Sequence, residues 1–142
     1  MTIAAGLYLI DTSAWARMRV PVVARRITAI LEAAAAATCL SLDLEDGRSA
    51  RKFPDARSIR SRRAEVMTDL PATAAVATRA RDLQMALTQR GHHRAVSPVD
   101  LIVAATAAEY GATVVHYDHD FDLVAGVGGP RCEWVAPAGS LP

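Results

Sequence analysis

Five carboxylates, Asp11, Glu45, Asp100, Asp118 and Asp120, are the residues of this 142-residue chain best placed to do chemistry. Asp11 closes the apolar run Gly6-Leu7-Tyr8-Leu9-Ile10, and Glu45 follows Thr38-Cys39-Leu40-Ser41 together with Asp43 and Asp46. Asp118 and Asp120 follow Thr113-Val114-Val115-His116, and Asp100 stands in the first turn of the helix opened by Ser97-Pro98. In an open α/β sheet the working crevice lies beyond the carboxyl ends of the strands, so these acids are expected at one edge of the sheet. A single Asp at a helix N-terminus gains ~0.3–1 kcal/mol from the helix dipole, which suffices to explain Asp43, Asp100 or Asp118 taken alone. Asp46 and Asp122 read as solvated charges. Convergence is a different matter, because each pair of carboxylates ~4 Å apart costs about 1–4 kcal/mol at effective dielectrics of 80 to 20. From Asp100 to Asp122 there are five acids and no Lys or Arg. A bound cation resolves such repulsion, and oxygen-only donors favour Mg²⁺ or Mn²⁺ over zinc. Carboxylate-held ions of this kind serve phosphate chemistry. No Gly-rich P-loop is present, and Gly126-Val127-Gly128-Gly129 lacks the Ser of a nucleophile elbow.

The second chemical feature is basic. Arg48, Arg51, Lys52, Arg57, Arg60, Arg62 and Arg63 fall within sixteen residues that contain one acid, Asp55. A run of this kind is commonly only a solvated face. Beside an acidic, metal-holding crevice it also fits a phosphodiesterase acting on nucleic acid, since guanidinium forks bind backbone phosphates. The formal net charge of +1 hides this separation of basic and acidic stretches. Aromatic residues make up 5% of the chain, so base stacking is weakly supported. Phe53 reads as a helix-packing residue with stacking as its alternative. His92-His93 reads as exposed loop, and His116 and His119 as packing or surface residues that could assist at the site.

Composition and pattern supply the frame. Hydrophobic residues at 51% and charged residues at 22% are ordinary for a globular chain of one domain, residues 1–142. No apolar run approaches the ~20 residues of a membrane span, and Met1–Ile10 lacks a basic leader region. Cys39 and Cys132 without a C-x-x-C read as buried thiols in a reducing cytoplasm. Strands are expected at 6–10, 38–41, 113–116 and, at an edge, 132–135. Helices are expected from Pro21 to about Ala36, over 42–52, 58–67 and 73–90, from Pro98 to about Tyr110 and near 121–124, with Thr12 or Ser13 as an early N-cap. Thr73–Arg90 carries Val76, Ala80, Leu83 and Leu87 at near-helical period. The tail 136–142 is expected to fray. Alternating strands and helices predict an α/β/α sandwich with a central, mostly parallel twisted sheet.

On these residues the chain resembles the PIN-domain ribonucleases, and among them the VapC toxins of bacterial type II toxin–antitoxin (VapBC) pairs. Leu9-Ile10-Asp11-Thr12-Ser13-Ala14-Trp15 resembles the family's opening strand. Asp43-Leu44-Glu45 with Ser49-Ala50-Arg51 is similar to its second segment, Asp100-Leu101-Ile102-Val103-Ala104-Ala105 to its third, and His116-Tyr117-Asp118-His119-Asp120-Phe121 to its fourth. The four occur in order across nearly the whole chain. The resemblance implies a PIN-like sandwich and Mg²⁺- or Mn²⁺-dependent cleavage of structured RNA, tRNA or rRNA. It implies Asp11, Glu45, Asp100 and Asp118 as metal-binding and catalytic acids, Asp120 as an added ligand, and Ser13 as a supporting hydroxyl. It further implies a homodimer and a VapB-type antitoxin whose tail blocks the acidic pocket. His116 departs from the pattern, standing where many PIN domains carry Thr, Asn or Ser, and Asp46 stands where an apolar residue is expected. A catalytically inactive RNA-binding PIN module is the alternative, against which the retention of all four acids speaks. A receiver domain would need a Lys at the site, and a haloacid-dehalogenase-like phosphatase a second Asp where Ser13 stands.

Overall fold

The computed structural model describes residues 6–142. Its centre is a five-stranded, all-parallel sheet, built from β1 (Tyr8–Ile10), β2 (Ala36–Thr38), β3 (Thr68–Asp69), β4 (Thr113–His116) and β5 (Cys132–Trp134) in the order β3-β2-β1-β4-β5. Around it, among the described residues, lie α1 (Thr12–Trp15), α2 (Pro21–Glu32), α3 (Leu40–Gly47), α4 (Phe53–Val66), α5 (Ala74–Gln89), α6 (Pro98–Tyr110) and α7 (Asp120–Ala125). No helix among the described residues is long and apolar enough to cross a membrane.

Strand side chains alternate between two layers, as a pleated strand dictates. Leu9, Ala37 and Val114 pack with Leu42, Val103, Ala107 and Phe121 on one face of the sheet. Ile10, Ala36 and Val115 pack with Ala14, Val23, Ile27 and Ile30 on the other. A third apolar cluster joins α5 to α6 and α7 through Val76, Leu83, Leu87, Leu101, Ala104, Ala105 and Val124. The expected three-layer sandwich is therefore what the chain forms. From β1 the chain steps outward through β2 to β3, then returns to place β4 on the other side of β1. The strand order reverses between β1 and β4, which puts the crevice at their carboxyl ends.

Several boundaries differ from the sequence reading. The α2 helix stops at Glu32 rather than near Ala36, because Ala34 takes a left-handed conformation, φ 53°. Ala helix propensity would carry the helix on, but Ala36 and Ala37 are buried and pair with Tyr8 and Leu9. The second strand thus lies earlier than 38–41, and Leu40 and Ser41 already open α3, which is shorter than 42–52. The helix expected over 58–67 begins earlier, at Phe53, with Pro54 in the first turn of α4, where its missing N–H costs nothing. The two-residue β3 is exposed and has no apolar signature in sequence. The tail expected to fray is tied down: Ala136 is buried, and the Leu141 N–H donates to Tyr117 Oη at 2.8 Å. Both cysteines are free thiols, Cys39 buried and Cys132 half-buried.

Candidate metal centre

Asp11 is itself the N-cap of α1, a place the sequence reading gave to Thr12 or Ser13. Its Oδ2 accepts from the Ser13 N–H at 3.0 Å and from the Ser13 hydroxyl at 2.6 Å. Ser13 Oγ in turn accepts from the Tyr117 N–H at 2.9 Å, tying the loop after β4 to the end of β1. Ser13 therefore fixes one oxygen of Asp11 through two hydrogen bonds. The other oxygen, Asp11 Oδ1, is buried and has no hydrogen-bond partner among the described residues.

Asp100 reaches the same crevice from the N-terminus of α6. Ser97 caps the helix, accepting from the Asp100 N–H at 3.1 Å, and Pro98 starts it. Asp118 follows β4, and its Oδ1 accepts from the Asp120 N–H at 2.9 Å. Asp100, Asp118 and Asp120 each present a carboxylate oxygen within 4.8 Å of the others. Glu45 arrives from α3, and its carboxylate accepts a hydrogen bond from the Thr12 hydroxyl. Among the described residues no Arg or Lys forms an ion pair with any of these five acids.

The electrostatic consequence follows from that crowding. Burial pushes the Asp100 carboxyl up, the charges of Asp11 and Asp118 add to it, and its pKa stands at about 7. Burial likewise raises Asp11 despite the Ser13 hydrogen bonds, with Glu45 and Asp118 pushing the same way. Asp120 is raised by burial and by Asp118. Such a set of oxygen donors, with one buried oxygen unpartnered and no internal cation, fits a hard divalent ion. Asp100, Asp118 and Asp120 are the side chains whose oxygens lie close enough together to hold it, while Asp11 and Glu45 stand outside that group of three and act on Asp100 through their charge.

The other expected residues divide. Arg48, Arg51, Lys52, Arg57, Arg60 and Arg62 are exposed, as a phosphate-binding face requires. Arg63 is not part of that face: it is buried, with Nε 2.8 Å from Asp43 Oδ1 and Nη1 3.0 Å from Asp46 Oδ2. Asp43 and Asp46 accordingly turn toward α4, so Asp46 is an ion-pair partner rather than a free solvated charge. Phe53 does not pack against the helix layer; it is 73% exposed, with the Arg57 guanidinium 5.9 Å from its ring centre. His116 is fully buried between Phe121 and Trp134, and its Nδ1 accepts from the Asp118 N–H at 3.1 Å. Burial pushes its imidazole down, so it is a neutral ring that shapes the Asp118 loop. Two contributors escaped the sequence reading: Thr12 as the partner of Glu45, and the Tyr117 N–H behind Ser13. Backbone geometry alone reveals the second, and nothing in the local pattern marks the first.

Known proteins show the same arrangement of elements. Residues 8–127 match the PIN domain family. The chain is 38% identical over 133 residues to a Mycobacterium tuberculosis protein named Ribonuclease VapC21, covering 94% of this chain and 96% of that one. It is 37% identical over 134 residues to Ribonuclease VapC51 of the same organism, with the same coverage. Among solved structures, VapBC2 from Rickettsia felis bound to a promoter DNA fragment superposes at TM-score 0.71 with 15% identity, covering 90% of this chain and 98% of that one. A member of the VapBC toxin–antitoxin family from M. tuberculosis, VapBC-5, gives TM-score 0.58 with 21% identity, covering 90% of this chain and 96% of that one.

Proposed function

The chain belongs to the PIN-domain family, and from that premise we propose that it is a VapC-type endoribonuclease toxin that hydrolyses structured RNA with Mg²⁺ or Mn²⁺. The observation that carries the reading is the carboxylate set at the β1/β4 crevice, with a buried Asp11 Oδ1 that has no hydrogen-bond partner among the described residues. The relatives named as ribonucleases support the reaction class, and the structural neighbours solved as VapBC complexes support a VapB-type antitoxin as partner. A divalent ion, if held there, would lower the pKa of a nearby water and offset charge on the attacked phosphate.

The chain's own residues prepare the rest. The Ser13 hydroxyl and N–H hold Asp11 Oδ2, so that Oδ1 faces inward without a competing donor. Ser97 and Pro98 start α6 one turn before its buried stretch and so fix Asp100 to a helix anchored in the core. Exposed Arg48, Arg51, Lys52, Arg57, Arg60 and Arg62 attract the RNA backbone toward the crevice. The working form is a homodimer in the cytoplasm, and its substrate is tRNA or rRNA.

The test is incubation of purified protein with total tRNA and with rRNA, followed by mapping of new 5′ ends. The account expects discrete cuts with Mn²⁺ or Mg²⁺, none with excess chelator, and recovery on restoring the ion. Cleavage that survives chelation would refute the metal dependence, and RNA binding without cleavage would favour the inactive-module reading.

A further inference from the structure

We propose that Arg63 is a positioning residue: it fixes the roll of α3 about its own axis and so holds Glu45 beside the carboxylate cluster. There the Glu45 charge reaches Asp11 and Asp100. The inference rests on the metal-dependent reading above. Arg63 is the buried residue of α4, a helix whose other side chains are exposed or half-buried. Its Nε donates to Asp43 Oδ1 at 2.8 Å, its Nη1 to Asp46 Oδ2 at 3.0 Å and its Nη2 to Thr38 Oγ1 at 2.8 Å. The Thr38 hydroxyl closes the network by donating to Asp43 Oδ1 at 2.6 Å. One guanidinium thus joins α4, the end of β2 and two carboxylates on α3.

The spacing on α3 gives that network its consequence. Asp43 and Asp46 are three residues apart and share a face of the helix, whereas Glu45 projects roughly 200° round from Asp43. The α3 helix is gripped by Arg63 on one flank and, through Glu45, by Thr12 on the other. It is eight residues long and buries only Ser41 and Leu42, so apolar packing defines its roll weakly. A carboxylate ~6–7 Å from the helix axis moves about 1–2 Å for a roll of 10–20°, and a misplacement of about 1 Å can cost ~10²-fold in rate. A planar fork bonded to two carboxylates one turn apart sets an angle, which a Lys ammonium on a flexible stem does not. The burial of the charged head is itself compatible with folding only because both carboxylates meet it.

The experiment is a double-mutant cycle over wild type, Arg63→Lys, Glu45→Gln and the double variant. Each is measured by calorimetric titration with Mn²⁺ and by cleavage of 5′-labelled total tRNA. Arg63→Lys is expected to weaken Mn²⁺ binding about 5–10-fold and to lower kcat about 10–100-fold, with KM changed less than about two-fold. In the Glu45→Gln background the same change is expected to add less than about two-fold, since Arg63 acts through Glu45. Losses that multiply in the double variant, or a loss that appears in KM alone, would overturn the assignment. A wild type that cleaves RNA but binds no Mn²⁺ breaks the metal reading instead, and the cycle read in cleavage rate still decides the role of Arg63. Should Arg63→Lys fail to fold, Asp46→Asn removes one arm of the fork and must show the same pattern.

Discussion

The α4 and α6 helices of nearly equal length carry the two halves of the proposed chemistry, and they are held in place by opposite means. The α6 helix buries Leu101 and the unbroken stretch Val103–Ala107, and is closed at both ends by Ser97 and a left-handed Gly111. The α4 helix buries Arg63 alone and meets the fold through ion pairs to α3. The difference fits the proposed function. The carboxylate proposed to hold a metal ion is mounted on the buried helix. The cations proposed to meet a phosphate chain are mounted on the exposed one, where guanidinium groups can reorient at little cost.

The comparison breaks first at its acidic end. Replacing Asp100 with Ala is expected to lower RNA cleavage by about 10³-fold or more, while circular dichroism stays native because the side chain contributes no core packing. Residual cleavage within ten-fold of wild type would detach α6 from the chemistry. Next comes packing. Leu101→Ala on α6 is expected to cost about 2–5 kcal/mol in denaturant unfolding, whereas Phe53→Ala on α4 is expected to shift stability by less than about 0.5 kcal/mol. Equal costs would mean that α4 is held by apolar contacts after all. The smallest effect belongs to the basic face. Arg60→Glu with Arg62→Glu is expected to weaken RNA binding at low salt and to flatten its salt dependence by about one unit of slope per lost phosphate contact. An unchanged slope would reduce the run to a solvated surface.

The same contrast explains what the sequence reveals and what it conceals. The α6 boundaries are legible, because a Ser-Pro start, an apolar interior and a Gly stop are local signals that agree. Asp11, Asp100 and Asp118 are legible for a related reason: each follows a recognisable strand or opens a recognisable helix at one edge of a parallel sheet. The second strand is displaced because Ala33 to Ala37 suits a helix as well as a buried strand, and only pairing with Tyr8 and Leu9 decides between them. Arg63 is concealed because it stands among like residues, and its partners Asp43 and Thr38 lie 20 and 25 positions away. The sequence shows a basic run, and the tertiary structure selects the one member that turns inward.

Mn²⁺ binding measured with its proton count tests the central claim most directly. Without the ion, Asp100 at about 7 is mostly neutral at pH 6, and its neutral form stabilises the fold at low pH, an advantage lost as pH rises from about 4 through about 7. An ion bound by the carboxylates must displace that proton. Calorimetry in buffers of different ionisation enthalpy is therefore expected to show close to one proton released per Mn²⁺ at pH 6. Affinity should rise about ten-fold per pH unit below 7 and level off above it, and Asp100→Asn should abolish the proton release. Mn²⁺ binding that is independent of pH and unaffected by Asp100→Asn would place the ion elsewhere and contradict the account.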